Sequence, residues 1–95
     1  MRIGQVIGTV TLSHRHASLA GASFRLVVPL SFDNLLQDND PKAEPLVVYD
    51  DLGAGVGSRI AFSEGGEAAQ PFEPEMKPID AYNAAILDSI HVQKP

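Results

Sequence analysis

The chain of 95 residues contains no cysteine, which excludes a disulfide framework and thiolate chemistry. Basic residues are few: seven stand against twelve acidic residues, for a formal net charge of −5. Because nucleic acids and anionic membranes select basic surfaces, we expect neither among the partners. The apolar runs are far too short to span a bilayer, and we see no signal peptide behind the first residues. These absences predict a cytoplasmic protein.

Short strand patterns make up most of what is present. A chain of this length forms one small domain, residues 1–95. Proline at 78 and aspartate at 80 suit the first turn of a helix, which is predicted over 78–87. The fold class is therefore mainly β, a small five-stranded OB-like β-barrel with one short C-terminal helix. A small β-sandwich is the alternative. Five strands are predicted from apolar alternation between turn residues: 3–12, 23–30, 45–49, 58–63 and 89–93.

Alternation along the strands also predicts which side chains point inward. Val6 and Val10 are expected on one inward face of the first strand. In the second strand Phe24 is expected inward and Arg25 on the opposite face. The third strand, 45–49, is apolar on both faces. That pattern predicts burial by the core on one side and by a neighbouring subunit on the other.

Two local features interrupt the strands. Gly8, in the middle of the first strand, predicts a bend, a bulge or the close approach of a neighbour. The connector 31–44 contains a cluster of turn residues, with room for a single helical turn around Asn34.

The stretch 50–57 has the densest cluster of small residues in the chain. Glycine permits positive φ and close approach, so three roles are open: a tight turn, a phosphate cradle, or a point where several copies crowd together. A dinucleotide fingerprint needs Gly-x-Gly-x-x-Gly before a helix, and a Walker loop needs a following lysine. Here the spacing differs and a strand pattern follows, which disfavours phosphate binding. The site candidates, for a symmetry axis or a subunit interface, are Gly53, Ala54, Gly55, Val56 and Gly57.

Other polar clusters match no known chemistry at their spacing. His14 and His16 could hold a metal, but His91 is the only other histidine, so the ligand set is incomplete. The aspartates at 38, 40, 50 and 51 lack the regular pattern of a calcium loop and are better explained as turn formers. No serine carries a nucleophile-elbow motif. We therefore predict no catalytic residue, no metal and no cofactor.

Several segments together resemble a known family. Residues 1–10 are similar to its opening strand, and Asp-Asp-Leu-Gly-Ala-Gly-Val-Gly at 50–57 is similar to its Asp-x-Val-Gly-Ala-Gly-x-Gly signature. Residues 19–21, 78–81 and 84–90 match further elements in order. The chain thus resembles the EutN/CcmL family of bacterial microcompartment vertex proteins. It departs at Leu52, at Gln70 where the family has a basic residue, and in the connector 31–44.

The resemblance implies a structural protein rather than an enzyme. Five copies would form a homopentamer that caps the vertices of a polyhedral shell made mostly of hexameric shell proteins. The shell would enclose metabolic enzymes, as a carboxysome or a catabolic compartment does, and a narrow pore could run along the pentamer axis. Segments 78–87 and 89–93 are expected at the subunit interface. The alternative from the fold alone is an OB-type module that binds a small ligand or single-stranded nucleic acid.

Overall fold

The computed structural model describes residues 1–10, 23–37, 39–65 and 81–93. The five strands close into a barrel in the order β1-β2-β3-β5-β4. Neighbouring strands are antiparallel except for the parallel pair β3 and β5. This confirms the predicted mainly β, OB-like barrel. The elements are β1 (Arg2–Val10), β2 (Ser23–Pro29), α1 (Phe32–Gln37), β3 (Leu46–Asp50), β4 (Arg59–Glu64) and β5 (Ala81–Leu87).

The end of the described chain differs from the prediction. Residues 81–87, expected within a helix, form β5, and residues 89–93, expected to form a strand, form none. The alanine-rich sequence favours a helix locally. Barrel closure overrides that preference, because β4 and β3 can be joined only by a strand between them. Residues 78–80 lie outside the described part.

The described helix lies in the connector, where a single turn around Asn34 was predicted. Ser31 caps it, because the Ser31 hydroxyl accepts a hydrogen bond from the Asn34 backbone N–H at 3.1 Å. The Asn34 side-chain oxygen in turn accepts from the Ser31 backbone N–H at 2.9 Å. This reciprocal pair is a capping box with asparagine at its third position. Within the described residues, no helix is long and apolar enough to cross a membrane.

A bulge at Ile7 sets the facing of β1. The register against β2 shifts between Val6 and Gly8, which confirms the irregularity predicted from the glycine. The shift also reverses the alternation. Val6 pairs with the core residue Val27, whereas Val10 pairs with Phe24 on the other face. The prediction that Val6 and Val10 share one face is therefore wrong.

The second strand faces the opposite way from the prediction. Val27 is fully buried in the core, and Arg25 shares its face because side chains alternate along a strand. Phe24 points to the outer face, where its ring meets the Tyr49 ring edge-on at 5.7 Å. An arginine inside the barrel is tolerated because it lies at one end, where Asp50 supplies a counter-charge.

The barrel core is small and is completed by a loop residue. Ala54, from the glycine-rich stretch, is 1% exposed and packs with the strand residues. On β3 the core takes Val48, whereas Val47 on the outer face is 46% exposed. The core side of the predicted two-sided burial is thus present, and the subunit side stays a prediction. The core consists of Val6, Val27, Val48, Ala54, Ile60, Phe62 and Ala81.

Two glycines of β1 should respond differently to the same substitution. A Cβ at Gly4 would lie 2.5 Å from Val27 Cγ1 and 2.8 Å from Phe62 Cε1, whereas at Gly8 the nearest atom, Leu26 Cβ, is 3.8 Å away. Gly4→Ala should lower the free energy of unfolding by about 1–3 kcal/mol through overpacking. Gly8→Ala should change it by less than about 0.5 kcal/mol. Urea unfolding at one fixed protein concentration compares the two, and equal effects would contradict this packing.

Candidate assembly site at the glycine loop

The glycine loop, residues 50–57, is organised by the carboxylate of Asp50 at its start. This residue is 2% exposed. Its Oδ1 accepts a hydrogen bond from the Leu52 backbone N–H at 3.0 Å, and its Oδ2 accepts one from the Ala54 backbone N–H at 2.8 Å. Such turns back onto the following backbone are a known preference of aspartate. The loop is therefore bent inward over the end of the barrel.

Arg25 fixes the same loop from β2. Its Nε donates to the Ala54 carbonyl oxygen at 2.7 Å and lies 3.5 Å from Asp50 Oδ2. Its Nη1 donates to the Phe24 carbonyl oxygen at 3.2 Å. Both polar groups of the Ala54 backbone are thus bound by side chains of opposite charge. Ala54 is therefore held in the core of the barrel, where it is 1% exposed.

Asn83 completes this buried cluster from β5. Its Nδ2 donates to Asp50 Oδ1 at 2.9 Å, and its side chain is fully buried. Because a carboxylate only accepts hydrogen bonds, the amide orientation is fixed, with Oδ1 pointing away from Asp50. That oxygen has no hydrogen-bond partner among the described residues. Asn83 thus uses its Nδ2 to bind Asp50, while its Oδ1 is buried without a hydrogen bond to any described residue.

The returning limb of the loop is fixed to β1. The Gly57 N–H donates to the Val6 carbonyl oxygen at 2.8 Å, and the Val6 N–H donates to the Ser58 carbonyl oxygen at 2.9 Å. Within the loop, the Ser58 N–H donates to the Gly55 carbonyl oxygen at 3.1 Å. Both limbs are therefore anchored, and the tip between them projects outward. Two apolar side chains on it are exposed, Leu52 at 47% and Val56 at 67%.

The three glycines of the loop have different reasons to be glycine. Gly53 and Gly57 have φ angles of 80° and 95°, the left-handed region that side chains disfavour. Gly55 is not among the glycines with positive φ. A Cβ on it would meet no described atom within 4 Å. Two glycines are thus explained by the turn, whereas no contact among the described residues explains Gly55.

An aromatic row runs along the outer face beneath the loop. The Phe24 and Tyr49 rings are followed by Tyr82, whose ring centroid lies 6.1 Å from that of Tyr49. Burial, and then the charge of Asp51, raises the pKa of Tyr82 above its ordinary value. The Tyr82 phenol donates a hydrogen bond to the Asp51 side chain, which also raises this pKa. This contact ties β5 to the first residues of the loop.

The geometry rules out the phosphate cradle. The Ala54 N–H, which would have to face a phosphate, is already bound by a buried carboxylate. A second anion there would meet the negative charge of Asp50. The turn role is confirmed by the two positive φ angles. The crowding role stays a prediction.

The part of the chain that the structure describes brings only some of the other sequence candidates into view. His14, His16 and Asp38 lie outside the described residues. His91 and Asp40 are exposed. Among the described residues, no group of three or more histidine, aspartate or glutamate side chains could hold a metal ion.

A second concavity lies beside α1, around the first residue of β1 and the last residue of β2. It is an open groove of about 330 Å³. Its charged side chains are exposed, and Arg2 is paired with Glu64 at 2.9 Å. Such solvated charges of both signs do not define a ligand. The lining residues are Arg2, Pro29, Ser31, Asp33, Asn34, Asn39, Asp40, Lys42 and Ala43.

Comparison with known proteins identifies the family. The family described as ethanolamine utilisation protein EutN/carboxysome matches residues 1–88. The chain belongs to the EutN/CcmL family. The carboxysome shell vertex protein CcmL of Gloeobacter violaceus is 35% identical over 97% of this chain and 87% of its own length. The microcompartment shell vertex protein GrpN of Rhodospirillum rubrum is 33% identical over 95% of this chain and 96% of its own.

Solved structures of the EutN/CcmL family share the fold. The pentameric microcompartment shell protein GrpN from Rhodospirillum rubrum aligns with a TM-score of 0.79 at 31% identity, covering 98% of this chain and all of that one. Gloeobacter violaceus CcmL aligns with a TM-score of 0.81 at 33% identity, covering 97% and 90%. The predicted family is confirmed. So is the predicted class of function, a shell protein of a bacterial microcompartment.

Sequence reasoning missed the residues that build the site. It singled out the small loop residues but assigned no role to Arg25 or Asn83, and it read Asp50 only as a turn former. A signal was present for Arg25, a lone charge in an apolar strand, which required a buried partner. Asn83 gave no usable signal, because it was placed in a helix.

Removing the charge of Asp50 should loosen the loop. Asp50→Asn replaces one acceptor oxygen by a donor and leaves Arg25 without its counter-charge. We expect the free energy of unfolding to fall by about 3 kcal/mol, as when one partner of a buried pair is lost. Hydrogen exchange of the Ala54 and Leu52 amides should also accelerate. Asp88→Asn makes the same chemical change at an exposed site and should change neither; equal behaviour of the two variants would refute this role.

Proposed function

We propose that the chain, as one domain over residues 1–95, is a structural subunit that forms a ring of five at the vertices of a microcompartment shell. The relatives named above support this, since one solved neighbour is a pentameric shell protein and several curated relatives are shell vertex proteins. A closed shell cannot be tiled by hexagonal units alone. A five-fold unit is therefore required, and hexameric shell proteins are the partners that it would join.

One observation on this chain carries the proposal. The glycine loop is held by buried charges, yet its tip exposes Leu52 and Val56. No contact within the described part of the chain requires Gly55 to lack a side chain. Rigid loops with apolar tips lose little entropy on binding. A neighbouring copy that approaches the backbone at Gly55 would account for that glycine. We place the loop at the contact between copies.

We further propose that the protein has no catalytic activity. The charged side chains of the loop are engaged in holding it: Asp50 is bound by Arg25, Asn83 and two backbone N–H groups. An acid or base in catalysis must instead reach a substrate. The alternative, an OB-type module for single-stranded nucleic acid, needs a basic groove. The net charge of −5 disfavours it.

Native mass spectrometry of the full chain at micromolar concentration tests the ring. We expect an assembly of five copies as the main species, and we expect its mass to stay the same when an oligonucleotide is added. A monomer throughout this range would overturn the proposal. Co-expression with hexameric shell proteins then tests the vertex role. We expect closed particles when this chain is present and open sheets or tubes when it is omitted.

Substitution of Gly55 separates assembly from folding. Gly55→Val should change the free energy of unfolding of the dissociated chain by less than about 0.5 kcal/mol. It should raise the dissociation constant of the ring at least tenfold, because the new side chain occupies the space of the neighbour. Gly53→Val serves as contrast. It should also distort the loop, since φ is 80° there. A Gly55→Val variant that remains fully pentameric on dilution would show that no neighbour packs at this point.

A further inference from the structure

A ring requires a surface on the next copy to receive the glycine loop, and the inference below rests on the proposed function. In a cyclic assembly each copy offers two different surfaces, one to each neighbour. A stable interface buries roughly 800 Å² on each partner, from about 20–30 residues a side. A loop confined to residues 50–57 supplies only part of this. Contact among five loop tips at an axis cannot by itself hold the ring.

The outer wall of β1, β2 and β3 is apolar, and three of its side chains, Phe24, Val28 and Tyr49, are already buried within the chain. Paired residues of antiparallel strands point to the same face. The register therefore places Gln5 opposite Val28, and Phe24 opposite Tyr49, on the outer side. None of the outward positions between Gln5 and Val10, on β2, or on β3 is charged. A solvated antiparallel face normally alternates with polar and charged residues.

Part of this wall is open. We define the wall strip as Ile7, Gly8, Leu26 and Val47, which follow one another across the three strands: Gly8 pairs with Leu26, and Leu26 pairs with Val47. Ile7 is 45% and Val47 is 46% exposed. Gly8 adds no side chain to the strip, and Leu26 stands between it and Val47.

We propose that the wall strip of one copy receives the loop tip of the next, with Leu52 and Val56 packed against it. Both surfaces are apolar, both are exposed, and they belong to different parts of the chain, as a heterologous contact requires. Other exposed apolar side chains fit less well. Phe32 lies on α1 beside the charged groove, next to Asp33.

This contact also explains Gly55. The returning limb of the loop is hydrogen-bonded to Val6, next to the bulge and to Ile7 of the wall strip. A neighbour's sheet that lies across the tip would approach the Gly55 backbone closely. The absence of a Cβ there is then required by the neighbour's wall strip rather than by other loops at the five-fold axis.

Because the chain lacks cysteine, thiol cross-linking tests the contact directly. The full chain carrying Val47→Cys and Val56→Cys is oxidised, or treated with a short thiol-to-thiol cross-linker, and run on non-reducing gels. We expect a covalent ladder of up to five chains that reductant removes from the oxidised sample. Either single variant should give at most a trace of dimer. The matched control is Val56→Cys with Phe32→Cys, because Phe32 is also exposed, at 53%, but lies on α1 outside the strip; it should give no ladder.

The outcomes separate the two proposals. Strong dimer from Val56→Cys alone would show that loop tips meet each other and would overturn the wall-strip contact while the ring stands. A double variant that is pentameric by native mass spectrometry but forms no ladder would also overturn the contact alone. A chain that is monomeric without substitutions would overturn the ring and the contact together.

Discussion

The buried carboxylate of Asp50 is the constraint on which the rest of the site depends. A charge withdrawn from water is stable only when it is paired and fully hydrogen-bonded. Here the backbone of the loop, the guanidinium of Arg25 and the amide of Asn83 supply those bonds. Asp50 itself ends β3, and its partners come from β2, β5 and the loop. The charge therefore cannot be fully hydrogen-bonded until all four segments are in place. Folding of the barrel and ordering of the loop are therefore one event.

A loop of this composition would otherwise be mobile. Glycine loses more conformational freedom on ordering than other residues, and three glycines within five positions would make the tip costly to order. The hydrogen bonds of the Asp50 cluster and the burial of Ala54 in the core offset that entropy loss during folding. The tip is then presented to a partner in a fixed conformation, which reduces the entropy lost on association.

Barrel closure determines how such a chain can associate. An open sheet offers unpaired edge strands to other chains, whereas the order β1-β2-β3-β5-β4 leaves no edge. Contacts between copies must then use faces and loops. The uncharged outer wall and the apolar loop tip are surfaces of this kind. Both lie on an acidic chain, whose charge keeps the remaining surface soluble.

The sequence by itself determined the strand-rich class, the first four strands, the irregularity at Gly8 and the special character of residues 50–57. These follow from local rules: alternation, turn residues and glycine conformations. Tertiary structure alone decided the rest. An alanine-rich segment became β5 because the barrel needed a fifth strand. The bulge at Ile7 moved every later side chain of β1 to the other face, as a single extra residue does. In β2 the facing is opposite to the prediction, because Arg25 meets its counter-charge, Asp50, at one end of the barrel. The roles of Arg25 and Asn83 were likewise invisible locally, because a buried charge selects partners by distance in space rather than in sequence.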